Sequence, residues 1–86
     1  MGSYKVELTK GAEKDLRRVD KRYLSKIFAV IEGLQDSPRP VGSKKLSGSE
    51  HTYRIRVGTY RVIYDIEDGR LVVLVIKIRH RKDAYK

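Results

Sequence analysis

Tyr53-Arg54-Ile55-Arg56-Val57-Gly58-Thr59-Tyr60-Arg61 alternates bulky apolar side chains with arginines and then turns back on itself at a glycine. In an extended strand successive side chains point to opposite faces, so Tyr53, Ile55 and Val57 share one face and Arg54 and Arg56 the other. A two-residue turn at Gly58-Thr59, with glycine supplying the positive φ, sets Val57 opposite Tyr60 and Arg56 opposite Arg61. Like charges facing each other across strands cost a few tenths to about 1 kcal/mol. Two readings follow. The arginines are either an ordinary solvated sheet face, or a phosphate site in which an anion held between forked guanidinium groups turns the repulsion into binding.

Upstream of this hairpin, Tyr4, Val6 and Leu8 alternate with polar residues, as in a short strand with one buried face. Thr9 is placed to cap a helix over residues 10–19, with Ala12, Leu16 and Val19 inward. Asp20 is placed to cap a second helix, in which Leu24, Ile27, Phe28, Ile31 and Leu34 form one apolar stripe and Pro38 and Pro40 mark the stop. Residues 37–49 carry both prolines, Gly42, Gly48 and several serines, and read as a mobile connection. Its Lys44 and Lys45 either steer RNA or simply keep the loop solvated.

Downstream, strands are expected over 60–67 and 70–79, joined at Asp68-Gly69, a strong hairpin signal. The expected fold class is α+β, a β-α-α-β-β-β microdomain with a helical hairpin on one face of a mainly antiparallel four-stranded sheet, residues 1–86 forming one domain. A tight Asp68-Gly69 turn pairs Glu67 with Arg70 and puts Tyr60, Val62, Tyr64, Ile66, Leu71, Val73 and Val75 under the helices. It leaves Arg54, Arg56, Arg61, Ile63, Val72, Leu74, Ile76 and Ile78 on the other face. That second face is half basic and half apolar, and this short chain has no spare element to cover it, so a protein partner is the expected cover.

Twenty lysines and arginines against 11 acidic residues give a formal charge of +9, which calls for a polyanionic partner, with nucleic acid ahead of an acidic protein. The chain has no cysteine and only two histidines, which removes disulfides and thiolate metal sites and points to a reducing cytoplasm, with no metal and no cofactor expected. No apolar run approaches the ~20 residues of a membrane span, and no signal-peptide stretch opens the sequence, so no membrane association is expected.

The chain ends Lys77-Ile78-Arg79-His80-Arg81-Lys82-Asp83-Ala84-Tyr85-Lys86, where basic groups bracket two side chains suited to proton transfer, His80 and Tyr85. Cutting RNA without a metal takes a base for the ribose 2′-hydroxyl, cations for the charge on the phosphorane and an acid for the departing 5′-oxygen. Histidine titrates near 6.5, and a tyrosine starting near 10 is drawn toward its phenolate by neighbouring arginines. Taken singly, His80 reads as a surface histidine and Tyr85 as a packing residue. Lys77, Arg79 and Lys82 join Lys44 and Lys45 as expected RNA contacts.

From Tyr53 through Tyr64 and again over His80-Arg81-Lys82-Asp83-Ala84-Tyr85, the chain closely resembles the RelE branch of the RelE/ParE superfamily of type II toxin–antitoxin toxins. The likeness spans essentially the whole length. It implies a small ribonuclease that cuts messenger RNA in the A site of the 70S ribosome by 2′-hydroxyl attack, halting translation and growth until a RelB-like antitoxin silences it. The implied complex binds operator DNA through the antitoxin. The resemblance assigns Arg61 and Arg81 to the phosphate and its transition state, Arg56 and Arg54 to ionising the hydroxyl or binding charge, and Tyr85 to the role of acid or orienter, with His80 nearby. Arginine is a poor base, since its pKa above 12 keeps it protonated, which leaves His80 or ribosomal RNA as proton acceptor. The antitoxin is expected over Ile63, Val72, Leu74 and Ile76. Two rival readings keep the same fold: a ParE-type inhibitor of DNA gyrase, and an RNA- or ribosome-binding domain without chemistry.

Overall fold

The computed structural model describes residues 3–82. Strand β1 (Lys5–Leu8) leads into helices α1 (Lys10–Leu16) and α2 (Lys21–Gly33). Strands β2 (Lys44–Lys45), β3 (Thr52–Val57), β4 (Tyr60–Glu67) and β5 (Val72–His80) follow. They form one mixed sheet in the order β1-β5-β4-β3-β2, with β1 parallel to β5 and the other pairs antiparallel. The sheet thus has five strands where four were expected. The fifth is the two-residue β2, in which Lys44 pairs with Arg54 and Lys45 with Tyr53. Two lysines between proline- and glycine-rich stretches carry no alternation from which a strand could be read.

Both helix caps form as their residues dictate. Thr9 Oγ1 accepts from the Ala12 amide at 3.1 Å and donates to the Ile76 carbonyl at 3.0 Å, so one hydroxyl starts α1 and ties it to β5. Asp20 accepts from the Arg22 amide at 2.9 Å at the start of α2. The helices bury Ala12, Val19, Ile27, Ile31 and Leu34 against Ile55, Val57, Tyr60, Val62, Tyr64, Ile66, Val73 and Val75 of the sheet. Tyr64, fully buried, donates its hydroxyl to the Pro38 carbonyl at 2.9 Å, so the largest core side chain leaves no orphan polar atom.

At the Gly58 hairpin the register is the expected one: Val57 faces Tyr60, and Arg56 faces Arg61. Gly58 alone carries the positive φ there, at 61°, as a type II′ turn requires. The Asp68-Gly69 connection differs. Asp68–Arg70 form a 3₁₀ turn, Leu71 takes the left-handed conformation at φ 53°, and Glu67 pairs with Val72 in place of Arg70. A two-residue shift leaves the faces of Val72, Val73, Leu74 and Val75 unchanged, but Leu71, expected in the core, sits 47% exposed at the turn.

A second correction concerns the end of β5. Tyr64 pairs with Val75 while Ile63 pairs with Lys77, so Ile76 is an extra residue with no partner on β4. This β-bulge reverses the alternation beyond it. Ile78, expected on the open face, instead faces Val62 in the core at 5% exposure. Lys77 and Arg79 turn outward onto the face of the arginines.

Candidate nucleic-acid interface

The bulge assembles the site. In register, Arg56 on β3, Arg61 on β4 and Arg79 on β5 form one row across three strands. Beside it runs a second row, Lys44, Arg54, Ile63 and Lys77. Paired residues in a sheet share a face at strand spacings of about 4.8 Å, so six cations gather at one end of the uncovered face. At the other end lie Glu7, Asp65 and Glu67, with Leu74 and Val72 in their rows and Lys5 beside Val72. The cations of the open face are therefore concentrated at one end, and its carboxylates at the other.

Beyond β5 the chain turns so that the Arg81 amide donates to the Thr59 carbonyl at 2.6 Å, which carries Arg81 over the Gly58 hairpin. A cavity of about 270 Å³ results, lined by Arg56, Gly58, Thr59, Tyr60, Arg61 and Arg81. Among the described residues no carboxylate pairs with Arg54, Arg56, Arg61, Arg79 or Arg81. Each guanidinium holds five donors in a planar fork and is always charged, so three of them around one concavity make a receptor for a tetrahedral oxyanion. The space beside Gly58 is closed by Tyr23: a Cβ built there would stand within 2.7 Å of its Cδ1 atom. Glycine is thus required by both the turn and the aromatic support beneath it.

Of the expected site residues, Arg56, Arg61 and Arg81 come together, while Arg54 lies one row away between Lys44 and Ile63. Arg79, assigned from sequence only to general RNA contact, stands directly opposite Arg61. The charges at Lys77 and Arg79, on the same parity as the core residues Val73 and Val75, were the available sign of the parity change that puts it there. His80 does not line the arginine cavity. Its ring lies edge-on to Tyr60, with centroids 5.0 Å apart and planes at 89°, and its Nδ1 accepts from the Lys82 amide at 3.1 Å. Tyr85 lies outside the described residues. Lys45 is across the sheet from the arginine rows, in register with Tyr53, and Lys82 is exposed beside His80. Of the four apolar positions, Ile63, Leu74 and Ile76 are half-buried, whereas Val72 is only 8% exposed and presents little surface.

Residues 6–85 match the family described as ParE toxin of type II toxin–antitoxin system, parDE. This chain belongs to the RelE/ParE toxin family. Toxin RelG of Mycobacterium tuberculosis is 32% identical over 84 residues, covering 96% of this chain and 97% of the relative. The archaeal RelE–RelB complex from Pyrococcus horikoshii superposes with a TM-score of 0.82 at 28% identity, covering 92% of this chain and 96% of that one. The toxin–antitoxin complex RelBE2 of M. tuberculosis gives 0.81 at 31% identity, with 94% of each chain covered. The chain is thus a type II toxin of RelE type, and its helices-on-sheet fold is that of RelE. No helix among its described residues is long and apolar enough to cross a membrane.

Proposed function

We propose that this RelE-type toxin is an endoribonuclease that cuts messenger RNA in the ribosomal A site. The observation that carries the reading is the meeting of Arg56, Arg61 and Arg81 around one cavity with Arg79 in register beside Arg61, and no acidic partner among the described residues. In the proposed step the 2′-hydroxyl oxygen attacks the adjacent phosphorus and gives up its proton. The 5′-oxygen leaves and takes one, so the products are a 2′,3′-cyclic phosphate and a 5′-hydroxyl end. Arg61 and Arg81 bind the phosphate and the charge that builds on the phosphorane. Arg56, and Arg54 from the next row, favour ionisation of the attacking hydroxyl. Tyr85 is assigned the acid. The arginines cannot serve as base, and ribosomal RNA is assigned that role.

Lys44, Lys77 and Arg79 extend the basic face along the bound strand, and Lys45 and Lys82 add charge at its margins. A RelB-like antitoxin is the proposed partner, supported by the toxin–antitoxin complexes among the structural relatives. It would cover the arginines together with Ile63, Leu74 and Ile76, with Val72 adding little, and would supply the contact to operator DNA. The test is cleavage of a defined message on programmed 70S ribosomes, with RNA ends mapped. Discrete cuts within translated codons bearing 5′-hydroxyl ends are expected. Intact messages with DNA damage in induced cells would replace the reading with gyrase inhibition. Ribosome binding without any cut would leave a binding module.

A further inference from the structure

His80 is the one imidazole beside the arginine cavity, and its surroundings assign it a different task from proton transfer. A backbone N–H only donates, so the bond from the Lys82 amide at 3.1 Å occupies the lone pair on His80 Nδ1. In a neutral ring the proton then sits on Nε2, and the ring has no second lone pair with which to accept another. In register with Tyr60, His80 belongs to the helix-side face of β5, whereas Arg79 and Arg61 belong to the other. It lines a cavity of about 750 Å³ along the edge of β5 beside α1, together with Gly11, Asp15, Arg18, Lys77 and Arg79, whereas Arg56, Arg61 and Arg81 line the smaller arginine cavity. Tyr60 lines both cavities and forms the wall between them. Its ring meets His80 edge-on, lies 5.6 Å from Tyr23, and its hydroxyl accepts from the Asp20 amide at 2.9 Å, so the surface supporting His80 is anchored to α2.

Arg81 therefore sits between two backbone tethers: its own amide on Thr59, and the next amide on the His80 ring. We infer that His80 is a positioning residue whose Nδ1 latches the turn after β5 and so holds the Arg81 guanidinium in the anion cavity. The functional consequence rests on the nuclease reading above. The structural consequence does not. Without the latch, Arg81 keeps only the Thr59 tether, on an exposed turn at the end of a strand, and a donor misplaced by about 1 Å can cost a large factor in rate.

Three variants separate the latch from proton transfer. Asparagine places its amide oxygen near the position of histidine Nδ1 and can accept from the amide two residues on, as in an Asx turn, but cannot carry a proton between groups. Glutamine keeps the size and polarity with its oxygen one atom further out, and alanine removes both ring and acceptor. In the full-length toxin, His80→Asn is expected to retain message cleavage within about threefold of wild type. His80→Gln and His80→Ala are expected to lose on the order of tenfold or more. Amide exchange followed by NMR should show the Lys82 amide protected in wild type and His80→Asn, and fast in the other two. An His80→Asn protein that keeps Lys82 protection and is as inactive as His80→Ala would overturn the inference in favour of proton transfer. So would wild-type cleavage by His80→Ala. Should wild type leave messages intact, the nuclease reading falls alone, and the Lys82 exchange rates still decide the latch: protection unchanged in His80→Ala refutes it.

Discussion

Arg39 and Arg61 stand at opposite ends of the same small sheet and are treated in opposite ways. Arg39 donates to both carboxylate oxygens of Asp68, at 3.3 and 2.8 Å, and to the Tyr53 hydroxyl at 3.1 Å, with Tyr4 closing on the same carboxylate at 2.6 Å. Its charge is answered by residues from β3, β4–β5 and the segment before β1, and the result is a clamp over the sheet's edge. Arg61 has arginines in register on both sides and no carboxylate partner among the described residues. The chain has the means to neutralise a guanidinium and uses them where the charge serves the fold. Where it leaves a row of arginines unanswered, against a cost of up to about 1 kcal/mol per facing pair, the counter-charge is to be supplied by something bound.

The comparison breaks most completely if the row itself is dismantled. Exchanging two neighbours, Ile78→Arg with Arg79→Ile, undoes what the bulge achieves, because position 78 faces Val62 in the core and position 79 faces Arg61 in the row. An unpaired buried cation costs several kcal/mol, a large part of a domain's total stability of roughly 5–15 kcal/mol. The exchanged protein is expected to show no cooperative melting transition by circular dichroism. A folded, message-cutting protein carrying the exchange would mean that the bulge is not what places Arg79.

Arg61→Ala sharpens the contrast by separating function from stability. Loss of one charge-assisted donor to a developing oxyanion is worth about 10²–10³ in rate. Cleavage on programmed ribosomes should fall by that much, while the melting temperature stays level or rises as the repulsion with Arg56 and Arg79 is relieved. A fall in stability with undiminished cleavage would reverse the roles of the two ends. Gly58→Ala tests the hinge beneath the row. With φ at 61° and the Tyr23 ring against the new methyl, it should cost about 1–3 kcal/mol in urea denaturation, and it should lower cleavage too, because Arg56 and Arg61 are carried on the two arms of that turn.

How much of this was legible beforehand follows from the range of the signals. The caps at Thr9 and Asp20, the α2 stripe and the Arg56–Arg61 pairing are local: each is decided within a few residues by hydroxyl or carboxylate capping, helical period, or a glycine-first turn. The Asp68-Gly69 turn was misjudged because Leu71 accepts a left-handed conformation that ordinary side chains avoid, giving a longer connection than the dipeptide suggests. The bulge at Ile76 is hidden because Leu71 to Ile76 is apolar throughout and marks no face; only the charges at Lys77 and Arg79, on the parity of the core residues Val73 and Val75, signal that the alternation must reverse. The Arg39 clamp could not be read at all. It joins Tyr4, Tyr53 and Asp68 across up to 64 positions, and nothing in any one segment announces the other.

That clamp gives the smallest effect and the cleanest test of the contrast. Hydrogen bonds from Arg39 and then Tyr4 hold the Asp68 carboxyl down to about 2, from an ordinary value near 3.8. A carboxyl depressed in the folded state stabilises fully above its unfolded pKa and loses that contribution as pH falls through the folded value. Asp68→Asn should therefore melt slightly below wild type from neutral pH down to about 4, the gap should narrow below 4, and it should vanish near 2. The effect is small because all the groups are solvent-exposed and screened. Message cleavage at neutral pH should be untouched, since Asp68 lies at the far end from Arg61. The Arg61→Ala difference, resting on no carboxylate, should show no such pH window. A melting gap for Asp68→Asn that persists unchanged at pH 2, or a loss of cleavage in that variant, would show that the two ends of the sheet are not independent and that charge at one is felt at the other.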